Sequence, residues 1–257
     1  MRRIRIIPVL LIKNKGLYKT VKFGKTNYIG DPINALKIFN EKEVDEILIL
    51  DIDASQTGKE PNYQYVRSLC GEAFIPLGYG GGVKNIDQAS KIFQAGAEKV
   101  VINSVLQTNL DLITQIAGKY GSQSAVVCLD YKKKFMSGNK PHFRSGEESS
   151  RSALIEFAKE CENAGAGELI LQSIERDGTF TGLDLETIKE VSAAISIPLI
   201  ACGGLNSLQN AREAVKNGAS AIAAGSYFVY KNNDVRSILI NYPDQQTLTK
   251  EIFTQVV

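Results

Sequence analysis

The chain contains no tryptophan, a single histidine (His142), two methionines and only four cysteines. With one histidine and no CxxC pair, a zinc site of the usual kind is not expected. Cys70, Cys128, Cys161 and Cys202 lie far apart and read as reduced, mostly buried thiols. No metal and no cofactor is expected. There is no run of about 18 uncharged apolar residues, so no membrane span or membrane partner is expected. The basic start, Met1-Arg2-Arg3-Ile4-Arg5, leads into no long apolar core with a cleavage site, so no signal peptide is read and a cytoplasmic location is expected. Net charge is also nearly absent: 30 Lys and Arg against 28 Asp and Glu leave +2, which argues against a general nucleic-acid binder.

What remains is 257 residues of ordinary globular composition, 44% apolar and 23% charged. That length suffices for one large domain or two small ones. An internal repeat decides how it is organised. Ile75-Pro76-Leu77 recurs as Ile197-Pro198-Leu199, an offset of 122. The same offset carries Gly81-Gly82 onto Gly203-Gly204, Gly96-Ala97 onto Gly218-Ala219, Ser104 onto Ser226, Glu46 onto Glu168 and Ile52 onto Ile174. The chain therefore reads as two related halves, roughly 1–120 and 121–245, without a linker or a second domain across 1–257.

Each half alternates two patterns. Short apolar, β-branched runs at 4–11, 47–52, 74–78, 99–103, 124–130, 168–173, 197–201 and 221–224 read as buried parallel strands. Amphipathic segments lie between them. Asp31-Pro32 has the form of a helix start. Asn85 opens a segment whose Ile86, Ala89, Ile92 and Phe93 follow helical spacing up to Gly96. Leu208, Ala211, Ala214 and Val215 repeat that spacing before Gly218. Eight strands and eight helices in about 250 residues point to a (β/α)8 TIM barrel built from two duplicated half-barrels, with a doubly wound open sheet as the alternative.

In such a barrel the chemistry sits at the C-terminal ends of the strands. Gly80-Gly81-Gly82 follows the third strand and Gly203-Gly204 the seventh. Asn103-Ser104 follows the fourth and Gly225-Ser226 the eighth. Glycines there let backbone N–H groups approach an anion. The two pairs, at matched offset, predict two phosphate cups across the mouth and a long ligand with a phosphate at each end; tight turns alone are the alternative. Asp177-Gly178 is placed beside the second cup. Asp130 ends the fifth strand and Asp51 the second, and both are acid–base candidates. Aligning Ile6–Leu11 with Ala125–Asp130 pairs Leu11 with Asp130. A symmetric two-carboxylate site would need Asp at 11, and leucine moves no proton. Lysine-rich loops holding Lys13, Lys15, Lys19, Lys22 and Lys25, and Lys132, Lys133, Lys134, Lys140 and Arg144, lie on the mouth side. They read as solvated loops or as attractors of phosphate or an acidic partner. His142 reads as a hydrated loop histidine rather than a base. The tail, 242–257, carries no signal.

The motifs Gly80-Gly81-Gly82, Lys99-Val100-Val101-Ile102-Asn103, Leu112–Ala117, Tyr120-Gly121-Ser122-Gln123 and Ser173–Thr179 resemble those of HisF, the cyclase subunit of imidazole glycerol phosphate synthase, over nearly the whole chain. The resemblance implies a HisH-like glutaminase partner whose ammonia crosses the barrel and reacts at the strand C-termini with a bis-phosphorylated ribulosyl aminoimidazole carboxamide. It implies an ammonia gate at the strand N-termini formed by Arg5, Glu46, Lys99 and Glu168, with ordinary capping charges as the alternative, and a docking face there that Glu98 and Gln123 join. It implies two catalytic aspartates. Asp130 matches one; Leu11 replaces the other, and Val9 stands where cysteine is common. That departure is similar to the HisF-like WbuZ subunits of surface-glycan (lipopolysaccharide O-antigen) pathways. There the barrel passes ammonia to a separate sugar amidotransferase. Three expectations follow: such a subunit, an authentic cyclase with one catalytic Asp, or a HisA-like isomerase, against which the charged ring and Arg176-Asp177-Gly178 speak.

Overall fold

A computed structural model describes residues 4–133 and 139–255. Eight parallel strands form the barrel: β1 (Arg5–Lys13), β2 (Ile47–Asp51), β3 (Leu77–Gly80), β4 (Lys99–Ile102), β5 (Ala125–Lys132), β6 (Glu168–Ser173), β7 (Leu199–Cys202) and β8 (Ala221–Ala224). Each pairs with its neighbours in chain order, and β8 pairs with β1 through Arg5↔Ala221 to Pro8↔Ala224. No strand of the eight has a free edge, so the sheet is closed and the open-sheet alternative falls.

The strand limits differ from the sequence reading where the backbone dictates it. β3 and β7 start at Leu77 and Leu199 because Pro76 and Pro198 have no N–H for the ladder. Their carbonyls still accept from Ile47 N at 2.9 Å and Leu169 N at 3.0 Å. β1 and β5 run on past Leu11 and Asp130 because each turns into an antiparallel hairpin. Gly16–Lys19 returns along β1 with Leu11↔Tyr18, and Asn27–Gly30 pairs with it. Lys140–Phe143 returns along β5 with Asp130↔His142. The lysine-rich segments are thus hairpins, not simple solvated loops, and Lys19 is 3% exposed. His142 is buried on a strand at 6% exposure, which corrects its reading as a hydrated loop residue. Lys134 lies outside the described residues.

Among the described residues the helices of seven or more residues are α1 (Pro32–Glu41), α2 (Tyr63–Glu72), α3 (Ile86–Gln94), α4 (Asp111–Tyr120), α5 (Leu154–Asn163), α6 (Leu185–Ala194), α7 (Leu208–Lys216) and α8 (Gln245–Glu251). Local chemistry sets their starts. Asp31 accepts from Ile33 N at 2.7 Å, Asn85 from Gln88 N at 3.0 Å and Ser207 from Asn210 N at 3.1 Å. Their apolar faces bury Leu36, Phe39, Ile92, Ile113, Ile188 and Ala211 against the outside of the barrel. Each large side chain so buried contributes roughly 1.5–3 kcal/mol. Helix α8, in the tail that carried no signal, lies against α7. Tyr242 anchors it by donating from its hydroxyl to Ile6 O at 2.9 Å. Among the described residues no helix is long and apolar enough to cross a membrane.

Side chains on the other face of the strands fill the lumen. Ile7, Val9, Leu48, Val101, Val126, Ile170 and Ile200 form a second cluster separate from the helix-facing core. The period of two along each strand divides inside from outside.

Close packing beneath the barrel makes one glycine indispensable. A Cβ on Gly167 would stand 2.1 Å from Ser122 O, a backbone atom. Gly167→Ala is expected to lower stability by about 1–3 kcal/mol in urea unfolding, because the β6 entry must shift. A change within about 0.5 kcal/mol would show that this junction yields freely.

Candidate functional site

The four ring residues meet at the N-terminal end of the lumen. Arg5 begins β1, Lys99 begins β4 and Glu168 begins β6, while Glu46 immediately precedes β2. Arg5 donates to Glu46 Oε2 at 2.5 Å and to Glu168 Oε1 at 2.6 Å. Lys99 Nζ reaches Glu46 Oε2 at 2.8 Å and Glu168 Oε2 at 2.9 Å. Each cation touches both anions, and each anion both cations. Burial works against the charge on Arg5, but the hydrogen bonds and fields of Glu168 and Glu46 outweigh it and hold the guanidinium above its ordinary value. Glu46 is 2% exposed, a burial tolerable for a carboxylate only because two cations meet it.

Above the ring the lumen is apolar up to Leu11 and Cys128. It then opens into a mouth cavity of about 1530 Å³ at the C-terminal ends of the strands. Leu11, Asp51, Asn103, Ser104, Asp130, Asp177 and both glycine pairs line it. Every site residue expected at the mouth is therefore at the mouth.

Asp130 is buried at 8% exposure. Asn103 Nδ2 donates to its Oδ2 at 3.1 Å and to Cys128 O at 2.8 Å. The Cys128 thiol lies 3.5 Å from Oδ1. Burial, and then the charge of Asp177, push the Asp130 carboxyl up to about 7 against these two hydrogen bonds. A carboxyl at that value exchanges a proton near neutral pH. Leu11 lines the same cavity at 9% exposure and brings no second carboxyl. Asp51 accepts from Asp53 N at 3.0 Å and Ala54 N at 3.2 Å, and burial raises its carboxyl above the ordinary value. Its oxygen is used to shape the turn after β2.

The two glycine pairs match in geometry. Gly81 has φ 108° and Gly203 φ 97°. A Cβ there would stand 2.3 Å from Asp51 O and 2.6 Å from Ser173 O respectively. Both positions thus need glycine for the turn as well as for any anion. Around the second pair the hairpin after β1 closes in. Thr20 Oγ1 donates to Asp177 Oδ2 at 3.0 Å, and Lys22 N donates to Asp177 O at 2.9 Å. A Cβ on Gly178 would meet Thr20 O at 2.4 Å, and one on Gly225 would meet Lys19 Nζ at 2.0 Å. The Lys19 ammonium therefore sits against the Gly225 backbone, inside the second cup. Ser104 Oγ accepts from Arg144 N at 3.2 Å, so the β5 hairpin closes on the first cup.

Groups that line the mouth and that the sequence reading did not place there include Cys128, Gln172 and Cys202. For Cys128 a signal existed, since it stands two residues before Asp130 on one strand and so shares its face. The sequence reading missed Lys19 as an interior cation, because the hairpin that carries it inward is a non-local structure. Burial pushes the Cys202 thiol up to about 12, and the Cys128 thiol is also raised by burial and then by Asp130, so both are neutral near pH 7.

Known proteins match this chain over most of its length. The family described as "Histidine biosynthesis protein" matches residues 5–234. A Pseudomonas aeruginosa protein named "Putative imidazole glycerol phosphate synthase subunit hisF2" is 45% identical over 249 residues, 96% of this chain and 99% of that one. A Vibrio vulnificus protein named "Putative imidazole glycerol phosphate synthase subunit hisF3" is 42% identical over 254 residues, 98% and 97% of the two chains. The "Imidazole glycerol phosphate synthase subunit HisF" of Lactococcus lactis is 40% identical over 220 residues, 85% of each.

The raised carboxyl has a measurable sign. The fold keeps the Asp130 proton up to about pH 7, whereas the ordinary value is 3.8. Stability carried by the protonated form is therefore present below pH 4 and lost as pH rises toward 7. Asp130→Asn stays neutral, so it should gain on the parent protein by about 4 kcal/mol between pH 4 and pH 8. Urea unfolding at both pH values measures this. A difference that does not change with pH would put the carboxyl at its ordinary value.

Proposed function

The chain belongs to the histidine biosynthesis protein family, among its HisF-like members, and from that membership we propose that it is the barrel subunit of a glutamine amidotransferase complex. In this reading a HisH-like glutaminase docks over the ring and releases ammonia there. The barrel carries the ammonia to its mouth, for amidation of a surface-glycan sugar by a separate sugar amidotransferase of the kind that WbuZ-like subunits serve. One barrel, made of half-barrels at 1–120 and 121–245, does the carrying.

The observation that carries this reading is the contrast between the two ends of the lumen. The ring is complete, with each charge neutralised by two of the opposite sign. The mouth keeps Asp130 but presents Leu11 where the second acid–base group is needed. A ring of zero net charge offers a polar entrance to a small neutral molecule. The apolar side chains above it disfavour an ion, whose desolvation there is uncompensated. Ammonia can pass such a lumen as NH3, and ammonium is held back. Loss of one acid–base group lowers a rate by roughly 10²–10⁴. A barrel so altered is better suited to conduct ammonia than to close an imidazole ring.

A second reading, a histidine-pathway cyclase working with one aspartate, is favoured by the neutral-range carboxyl of Asp130. In it the two cups formed by Gly81, Gly82, Asn103 and Ser104, and by Asp177, Gly178, Gly203, Gly204, Gly225 and Ser226, hold the two phosphates of the ligand.

Turnover of the bis-phosphorylated aminoimidazole substrate with ammonium salt separates the two, because no glutaminase is needed. We expect no product from the parent protein and product from Leu11→Asp. Product from the parent protein would make it a cyclase. The ring is tested with the glutaminase and glutamine present. Lys99→Glu leaves three anions and one cation in the ring and is expected to abolish glutamine-dependent transfer. Undiminished transfer would show that ammonia does not use this entrance.

A further inference from the structure

The proton equipment of the mouth includes a group that the reading above does not use. Cys128 and Asp130 stand two apart on β5, so both side chains face the lumen. The Cys128 sulfur lies 3.5 Å from Asp130 Oδ1, and Asn103 Nδ2 lies 3.1 Å from Oδ2. Each carboxyl oxygen thus has one donor of its own. The same Asn103 nitrogen also donates to the carbonyl of Cys128, at 2.8 Å. One amide therefore fixes both the carboxyl and the backbone that aims the thiol at it.

We propose that Cys128 is a positioning residue for Asp130, its thiol holding Oδ1 while the Asn103 amide holds Oδ2. The inference rests on the second reading above, in which Asp130 moves a proton at the mouth. It also gives Asn103 two tasks: its amide nitrogen serves the carboxyl and the Cys128 carbonyl, while its Oδ1 accepts from Ser104 Oγ of the first cup at 3.3 Å.

Chemistry explains why sulfur suits this place. A thiol is small and apolar enough for the top of the lumen, and it is a weak donor. It orients the carboxylate without stabilising it as strongly as a hydroxyl would. The proton affinity of Asp130 is then set by a balance. Burial and the carboxylate of Asp177 raise it; Cys128 and Asn103 lower it. Among the described residues, Cys202 acts on Cys128 through its field, and Lys19 acts on Cys202 in turn. His142, opposite Asp130 on the paired strand, places its Nδ1 3.3 Å from Gly146 O.

The test reads the carboxyl directly. The protein is labelled with carboxyl-13C aspartate, and the Asp130 resonance is assigned by its disappearance in Asp130→Asn. Titration is then followed in the parent protein and in Cys128→Val, Cys128→Ala and Cys128→Ser, each checked for a cooperative melt. Removing the donor is expected to raise the Asp130 midpoint by roughly half to one pH unit in the valine and alanine variants. Serine restores a donor, and a stronger one, so its midpoint should lie at or below that of the parent. Should valine prevent folding, alanine carries that arm. Unchanged midpoints in valine and alanine overturn the proposal. A serine midpoint that rises with the others also overturns it, since packing alone would then be responsible. The pH profile of ammonium-driven turnover in the Leu11→Asp background separates this from the wider reading. Turnover whose profile follows the titration order supports both. Absent turnover with the titration order kept removes the role of Asp130 and leaves the clamp standing.

Discussion

Two cations and two anions bridge the floor of this barrel, and much of the molecule is organised around their mutual neutrality. Arg5, Glu46, Lys99 and Glu168 come from the starts of β1, β2, β4 and β6, so the ring ties half of the strands together. Removing any one of these charges would leave its two partners under-compensated, most severely at the buried Glu46. Because the four cancel, the lumen above can be filled with aliphatic side chains. Because it is so filled, polar chemistry is confined to the open end.

That confinement explains the condition of Asp130. It sits at the boundary between the apolar lumen and the mouth cavity, where few groups stabilise its charge. A carboxyl that would be ionised near any surface is there balanced close to neutrality. Leu11, at the corresponding height on β1, packs with the lumen cluster while lining the floor of the mouth cavity. The apolar column thus rises further on the β1 side than on the β5 side.

Most of the architecture was legible in the sequence because it rests on local or periodic signals. The caps Asp31, Asn85 and Ser207 act on N–H groups two or three residues away, so the helix starts fell where expected. The offset that maps Gly81 onto Gly203 also maps matching left-handed turns onto each other. Pro76 and Pro198 displaced the strand starts by removing a donor, a rule that could have been applied in advance. What stayed hidden depends on contacts between distant segments. Lys19 is interior only because Gly16–Lys19 folds back on β1, and His142 is buried only because its strand pairs with β5. The Asn103–Asp130 hydrogen bond joins the ends of the neighbouring strands β4 and β5 across 27 residues of chain. A count of charges in a loop cannot anticipate which of them the chain turns inward.

Strand β1 places all of this on one element. It begins in the ring with Arg5, lines the lumen with Ile7, Val9 and Leu11, and at Lys13 passes into the hairpin whose Lys19 meets Gly225 and whose Thr20 meets Asp177 and Gly178. At about 3.3 Å per residue, its nine residues form a rod about 26 Å long from the first Cα to the last. A hydrogen-bonded strand neither stretches nor slips by fractions of a register. A tilt imposed on Arg5 from below must therefore be taken up by the neighbouring strands or delivered to the hairpin above. The two ends of the barrel thus share one inextensible backbone, with Leu11 part of the way along it.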